Sequence, residues 1–145
     1  MKKFLLVRGF VFIALLLMAV SCTTTRSIAI EEGWELLGER KVNFVRDKDD
    51  ITVTSRNEFT ALRFRVEDRD IRLNYLKIFF RNGDVLQPAV DEIISANQNS
   101  RIIELAREGR PIDKIEFKYR TTGGNFLEGR ANVLVFGKKY YPGGY

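Results

Sequence analysis

Leu62, Phe64 and Val66 alternate with Arg63, Arg65 and Glu67. A period of two sends the two sets to opposite faces, so a strand with one wet face is predicted here. Ile71 and Leu73 follow in one phase and Leu76, Ile78 and Phe80 in the other, and a bulge near Asn74-Tyr75 would reconcile them within one strand. Ile115, Phe117 and Tyr119 alternate with Lys114, Glu116, Lys118 and Arg120, and residues 131–136 form a last apolar run. Nearer the start, Trp34, Leu36, Leu37, Val42, Phe44 and Val45 mark one or two strands broken around Gly38 by a bulge or bend. Ile51-Thr52-Val53-Thr54 is a β-branched run, and residues 101–105 also read as a strand. Residues 89–100 are ambiguous: Ala89-Val90-Asp91-Glu92-Ile93-Ile94 fits a helical turn or an irregular strand, and Asn97-Gln98-Asn99-Ser100 is a loop.

Turn chemistry separates these runs. Asp47-Lys48-Asp49-Asp50 reads as a turn, and Asn82-Gly83 as a tight hairpin whose two residues take positive backbone dihedrals. Val85-Leu86 starts the return strand and Pro88 stops it, while Glu108-Gly109 and Gly123-Gly124-Asn125 are further turns. Seven or eight short strands with hardly any helical periodicity predict an all-β fold, an antiparallel β-sandwich or jelly roll.

The chain opens on a different pattern. Lys2, Lys3 and Arg8 precede eleven apolar residues at positions 10–20, the layout of a secretory signal and short of the roughly 20 residues of a stable span. Ala19-Val20-Ser21-Cys22 then resembles the lipobox of bacterial lipoproteins, with Ala19 where that motif usually has leucine. The resemblance implies cleavage before Cys22, diacylglyceryl transfer to its thiol and acylation of the new amine. It also implies a membrane anchor, and Thr23 in place of an aspartate favours the outer membrane, with the face left open. The expected division is a signal at 1–21, a lipidated cysteine and tether at 22–32, a β domain at 33–137 and a flexible tail at 138–145 ending in Pro142-Gly143-Gly144.

Composition narrows the chemistry. Processing at Cys22 leaves 124 residues, enough for one domain with a sizeable core. The formal net charge of +5 includes Lys2, Lys3 and Arg8, and without them 21 basic residues face 19 acidic ones. Nucleic acid therefore loses its compositional support as a partner. Histidine is absent, which excludes Ser-His-Asp and Cys-His catalysis and imidazole-bound zinc. Cys22 is the only cysteine, so no internal disulfide forms in a compartment that would permit one.

Each cluster of candidate side chains also has a plainer reading. Asp47, Asp49 and Asp50, joined by Asp68 and Asp70, are the weak candidates for calcium, although solvated turn carboxylates explain them as well. Glu31-Glu32 and Asp91-Glu92 are nominal carboxylate pairs, but adjacent strand residues point to opposite faces and do not converge. Arg63, Arg65, Lys77, Arg81, Lys114, Lys118 and Arg120 occupy polar phases and would form a basic sheet face if they lay side by side, or else a solvated surface with Glu67 and Glu116. Trp34, Tyr140, Tyr141 and Tyr145 could stack on sugars, although Trp34 at a strand start is more often a core anchor. No cofactor is expected.

The segments Trp34-Glu35-Leu36-Leu37-Gly38, Asp50-Ile51-Thr52-Val53, Asn82-Gly83 and residues 110–119 together resemble a loose group of small exported bacterial β proteins of unknown function. That resemblance covers about residues 33–137 and implies a sandwich without transferring an active site. The leading expectation is a non-enzymatic, membrane-anchored envelope lipoprotein that meets an envelope protein or polysaccharide. A carbohydrate-binding module is the alternative, and a carboxylate-dependent hydrolase the third reading.

Overall fold

The computed structural model describes residues 26–43, 48–122 and 130–143. Among the described residues nine strands follow in order: β1 (Trp34–Asn43), β2 (Lys48–Thr52), β3 (Glu58–Glu67), β4 (Ile71–Phe80), β5 (Val85–Leu86), β6 (Glu92–Ile94), β7 (Ile103–Glu104), β8 (Arg110–Thr121) and β9 (Arg130–Lys139). All pairings are antiparallel, along the path β1-β9-β3-β8-β4-β5, with β2 on β8, β6 on β4 and β7 on β3. The all-β antiparallel expectation is met.

One continuous sheet makes two layers because its middle joint is short. β3 and β8 pair only at Glu58↔Pro111 and Phe59↔Arg110, and beyond that corner they part. β1, β9, β3 and β7 form one layer, and β2, β8, β4, β5 and β6 the other. Phe64 of β3 and Phe117 of β8 then meet edge to face across the interior, with ring centroids 5.6 Å apart and planes at 71°. The alternating residues of both layers fill the space between: Leu62, Phe64, Val66, Leu76, Ile78, Ile115 and Val133 are all fully buried. Each such side chain stabilises the fold by about 1.5–3 kcal/mol relative to exposure.

Two bulges set which side chains turn inward. The β1–β9 register shifts between Leu36 and Gly38, so Leu37 joins the core while Leu36 packs against a smaller apolar cluster outside the layer. Gly38 is required there, because a Cβ would stand 2.5 Å from Cγ2 of Ile51 on β2. The β4–β8 register shifts between Leu73 and Tyr75. Ile71 and Leu73 on one side of it, and Leu76, Ile78 and Phe80 on the other, all reach the core.

Several local expectations are corrected. Lys48, Asp49 and Asp50 belong to β2 and pair with β8, since burial of Ile51 draws the whole run into the ladder, while Asp47 lies outside the described residues. At the hairpin only Gly83 has positive φ, at 91°. Its amide donates to the Phe80 carbonyl at 3.0 Å, and the Asn82 side-chain oxygen accepts from Asp84 N at 3.0 Å. The Asn82 side chain thus closes a local turn, and glycine alone supplies the left-handed residue. Of the two readings of residues 89–100 the structure has the strand, β6, paired with β4, and the 101–105 strand shrinks to β7. Phe44, Val45, Gly123, Gly124 and Asn125 lie outside the described residues.

Backbone and side-chain contacts continue on both sides of residues 33–137. β9 continues through Gly137 to Lys139, whose amide donates to Gly33 O at 2.9 Å, and Tyr140 N donates to Glu58 O at 2.9 Å. Lys138 to Tyr140 therefore belong to the domain, because their backbone groups have partners in the layer. The segment before β1 is likewise no free tether over residues 26–32. Ile28 packs on the outer cluster of Trp34, Ala61, Leu134 and Phe136. Arg26 pairs with both Glu39 and Glu67.

Candidate functional site

The outward residues of the two layers make two very different surfaces. On the first layer, Ala61, Arg63, Arg65 and Glu67 of β3 face outward beside Leu134 and Phe136 of β9 and Trp34 and Leu36 of β1. This surface is taken up internally. Trp34 is 8% exposed beneath the segment carrying Ile28. The Arg63 guanidinium carbon lies 4.4 Å from the Trp34 ring centroid, and its Nη1 donates to Glu31 at 2.9 Å. Arg65 faces Glu67 at 3.8 Å. Arg63 Nε is buried without a hydrogen-bond partner.

The second layer presents the cationic face. On β8 the outward phase is Lys114, Glu116, Lys118 and Arg120; the register sets Phe79, Lys77, Tyr75 and Arg72 of β4 beside them, with Lys48, Asp50 and Thr52 of β2 on the other flank. Lys118 Nζ lies 5.2 Å from the Tyr75 ring centroid, and Lys114 and Lys77 lie 4.5 and 5.2 Å from that of Phe79. Cations over aromatic rings are attracted by the ring quadrupole and stay free to meet an anion. Glu116 accepts from Lys114 Nζ at 3.0 Å and faces Lys48 at 3.4 Å. The Lys114 hydrogen bond holds the Glu116 carboxyl below its ordinary value and raises the Lys114 ammonium, with partial burial opposing both shifts. Among the described residues, Lys77, Lys118 and Arg120 have no carboxylate partner.

The single basic face expected from the sequence is thus divided. Lys114, Lys118 and Arg120 share one surface with Lys77, while Arg63, Arg65 and Trp34 lie on the opposite layer. Alternation within a strand fixes which residues point outward, but only the fold over the β3–β8 corner assigns strands to layers. Trp34 has no open ring for stacking, and Tyr145 is outside the described residues.

The carboxylate candidates do not gather. Asp49 turns toward the interior and accepts from the Tyr119 hydroxyl at 2.6 Å, whereas Asp50 faces outward. Asp68 accepts from Asn132 at 3.3 Å and Asp70 from Ala96 N at 2.7 Å. Among the described residues no group of His, Cys, Asp or Glu could hold a metal ion. Asp91 is clamped by Arg72 through bonds of 2.7 and 2.8 Å, which keep its carboxyl below the ordinary value. Glu92 accepts from Arg101 N at 2.9 Å.

A cavity of about 540 Å³ adjoins the cationic face, lined by Asn74, Tyr75, Gln87, Pro88, Val90 and Asp91 among others. Its position follows from the β4 bulge, which places Asn74 and Tyr75 in succession at the strand's outer edge, and from Pro88, which ends β5 and sends residues 87–91 past them. Asn74 Oδ1 is buried without a hydrogen-bond partner. The bulge was legible in the sequence, but the cavity was not, since its second wall comes from the ambiguous stretch after Pro88.

Comparison with known proteins gives a family and a distant likeness. No curated protein matches the chain. A distant likeness is found to the solved structure of Pseudomonas aeruginosa AlgX, at 10% identity and a TM-score of 0.45, over 82% of this chain and 28% of that one. The chain therefore spans less than a third of that protein's length. Residues 11–137 match the model of a domain of unknown function, DUF2541, and the chain belongs to that family.

Proposed function

We propose that this member of the family is a lipid-anchored envelope protein without catalytic activity, which binds an anionic partner through the outer face of β2, β8 and β4. The observation that carries the reading is the row of Lys114, Lys118 and Arg120 beside Lys77, set over Phe79 and Tyr75. Cations so placed give affinity for negative charge, and neighbouring rings add apolar area without requiring a deep cleft. The lipobox-like Ala19-Val20-Ser21-Cys22 supports the anchor. Two or three acyl chains hold a protein at a bilayer, at about 0.8 kcal/mol per buried methylene. Absence of histidine, together with the engagement of Asp91 and Glu92 by arginines, supports binding in preference to hydrolysis.

Two measurements on the full chain test this. Mass spectrometry of the mature protein is expected to find an acylated Cys22 at the N-terminus, and Cys22→Ala is expected to leave the domain folded and release it from membranes after a high-salt wash. A Lys114→Glu/Lys118→Glu double variant is expected to lose retention on an anionic polymer such as polyglutamate, and the wild-type interaction is expected to weaken with added salt. An unmodified N-terminus removes the anchor. Unchanged retention of the double variant removes the face.

A further inference from the structure

We infer that the cavity beside β4 seats one sugar unit of an acidic polysaccharide whose charged groups lie on the neighbouring cationic face. The inference rests on the reading of that face as a site for an anionic partner and names the class of partner. Tyr75 joins the two features, because it lines the cavity and its ring carries Lys118 at 5.2 Å. The remaining wall suits a polyol. Gln87 offers both an amide donor and a carbonyl acceptor, and Asp91 keeps acceptor capacity beyond its two bonds to Arg72. Pro88 and Val90 offer apolar contact for the C–H faces of a ring. A volume of about 540 Å³ falls within the range of small-molecule sites, about 300–1,000 Å³.

Asp91 on the wall already engages Arg72, so the lining leaves no unpaired cation for an anion inside the cavity, and the ligand's charge belongs outside it, where Lys118 and Arg120 lie. That division, a neutral hydroxyl-rich ring with a charge beside it, describes an acidic polysaccharide better than a simple polyanion. The position of the N-terminal segment disfavours the protein's own bilayer as the source of charge. Arg26 is fixed to Glu39 and Glu67 on the outer side of the other layer. An extended chain spans about 3.6 Å per residue, so an anchor at Cys22 reaches no further than about 15 Å from it. The cationic face lies across the sandwich from that point.

The test uses the full chain in detergent and four probes: polygalacturonate, polyglutamate, neutral dextran and phosphatidylglycerol vesicles. Gln87→Ala is expected to weaken polygalacturonate binding about tenfold, equivalent to about 1.4 kcal/mol, and to leave polyglutamate binding unchanged, whereas Tyr75→Ala, which alters both the cavity and the face, is expected to weaken both. Lys114→Glu/Lys118→Glu is expected to weaken both. Gln87 is exposed, so its variant tests the cavity without burdening the fold. If the wild type and Gln87→Ala bind polygalacturonate equally, the sugar seat is overturned while the face stands. If the double lysine variant binds both polyanions normally, the face falls as well. Vesicle binding that depends on Gln87 and Tyr75 would replace the polysaccharide with a lipid headgroup, and binding of neutral dextran equal to that of polygalacturonate would remove the requirement for charge.

Discussion

The guanidinium of Arg63 lies over the ring of Trp34 at 4.4 Å, and both are covered by the segment that leads into β1. Glu31 holds Arg63 from that segment at 2.9 Å, while Ile28 packs on the cluster that contains Trp34. Charge and apolar contact therefore fasten the same strap. Trp34 is the only tryptophan, so its emission reports on this strap alone.

Ile28→Asp is expected to loosen the strap and shift Trp34 emission to the red with the sandwich still folded. The change should also increase quenching by iodide. Unaltered emission and quenching would mean that Ile28 does not shield the ring.

Phe64→Ala is expected to destabilise the domain by about 3–5 kcal/mol, because it removes a fully buried ring from the point where the two layers meet. Denaturant midpoints at unchanged slope measure the loss. Such a value is a large part of the roughly 5–15 kcal/mol that holds a domain of this size.

Gly38→Val is expected to destabilise the fold or displace β2, since even the first added carbon would sit 2.5 Å from Ile51 Cγ2. Ile51→Ala in the same chain should recover part of the loss by making room. Two losses that simply add would show that the contact is not the cause.

The Glu116–Lys114 pair carries a pH dependence of defined sign. The Glu116 carboxyl is lowered, so its contribution is complete above the ordinary carboxylate value and disappears as pH falls through the lowered one. Lys114 is raised, so its contribution is complete below the ordinary lysine value and disappears as pH rises through the raised one. Glu116→Gln is expected to flatten the loss of stability between neutral pH and about pH 3. The same variant removes a carboxylate from the cationic face and should tighten polyanion binding at neutral pH. Identical acid profiles for variant and wild type would contradict the pairing.

Much of this protein was legible in the chain. The alternation at residues 62–66 and 115–119 identified the inner faces of β3 and β8, and the phase reversal between Leu73 and Leu76 located the β4 bulge. These features are local, since a pleated strand has one period and a mismatch must be absorbed where it occurs. The hairpin at Asn82-Gly83 and the positive φ of Gly83 were legible, but the φ of Asn82 was not, because its side chain settles the turn through Asp84. Gly137 interrupts the side-chain pattern, yet the backbone ladder of β9 runs on to Lys139.

The sequence by itself determined an all-β antiparallel domain, its core positions and a histidine-free chemistry, because these depend on residue type and on neighbours a few positions apart. Only the tertiary structure decided that Arg63 and Lys118 belong to opposite layers, that residues 26–32 close over Trp34, and that residues 87–91 wall a cavity with Tyr75. Those outcomes depend on where one sheet folds at the short β3–β8 joint, and strands far apart in the chain carry no local mark of which layer they will join.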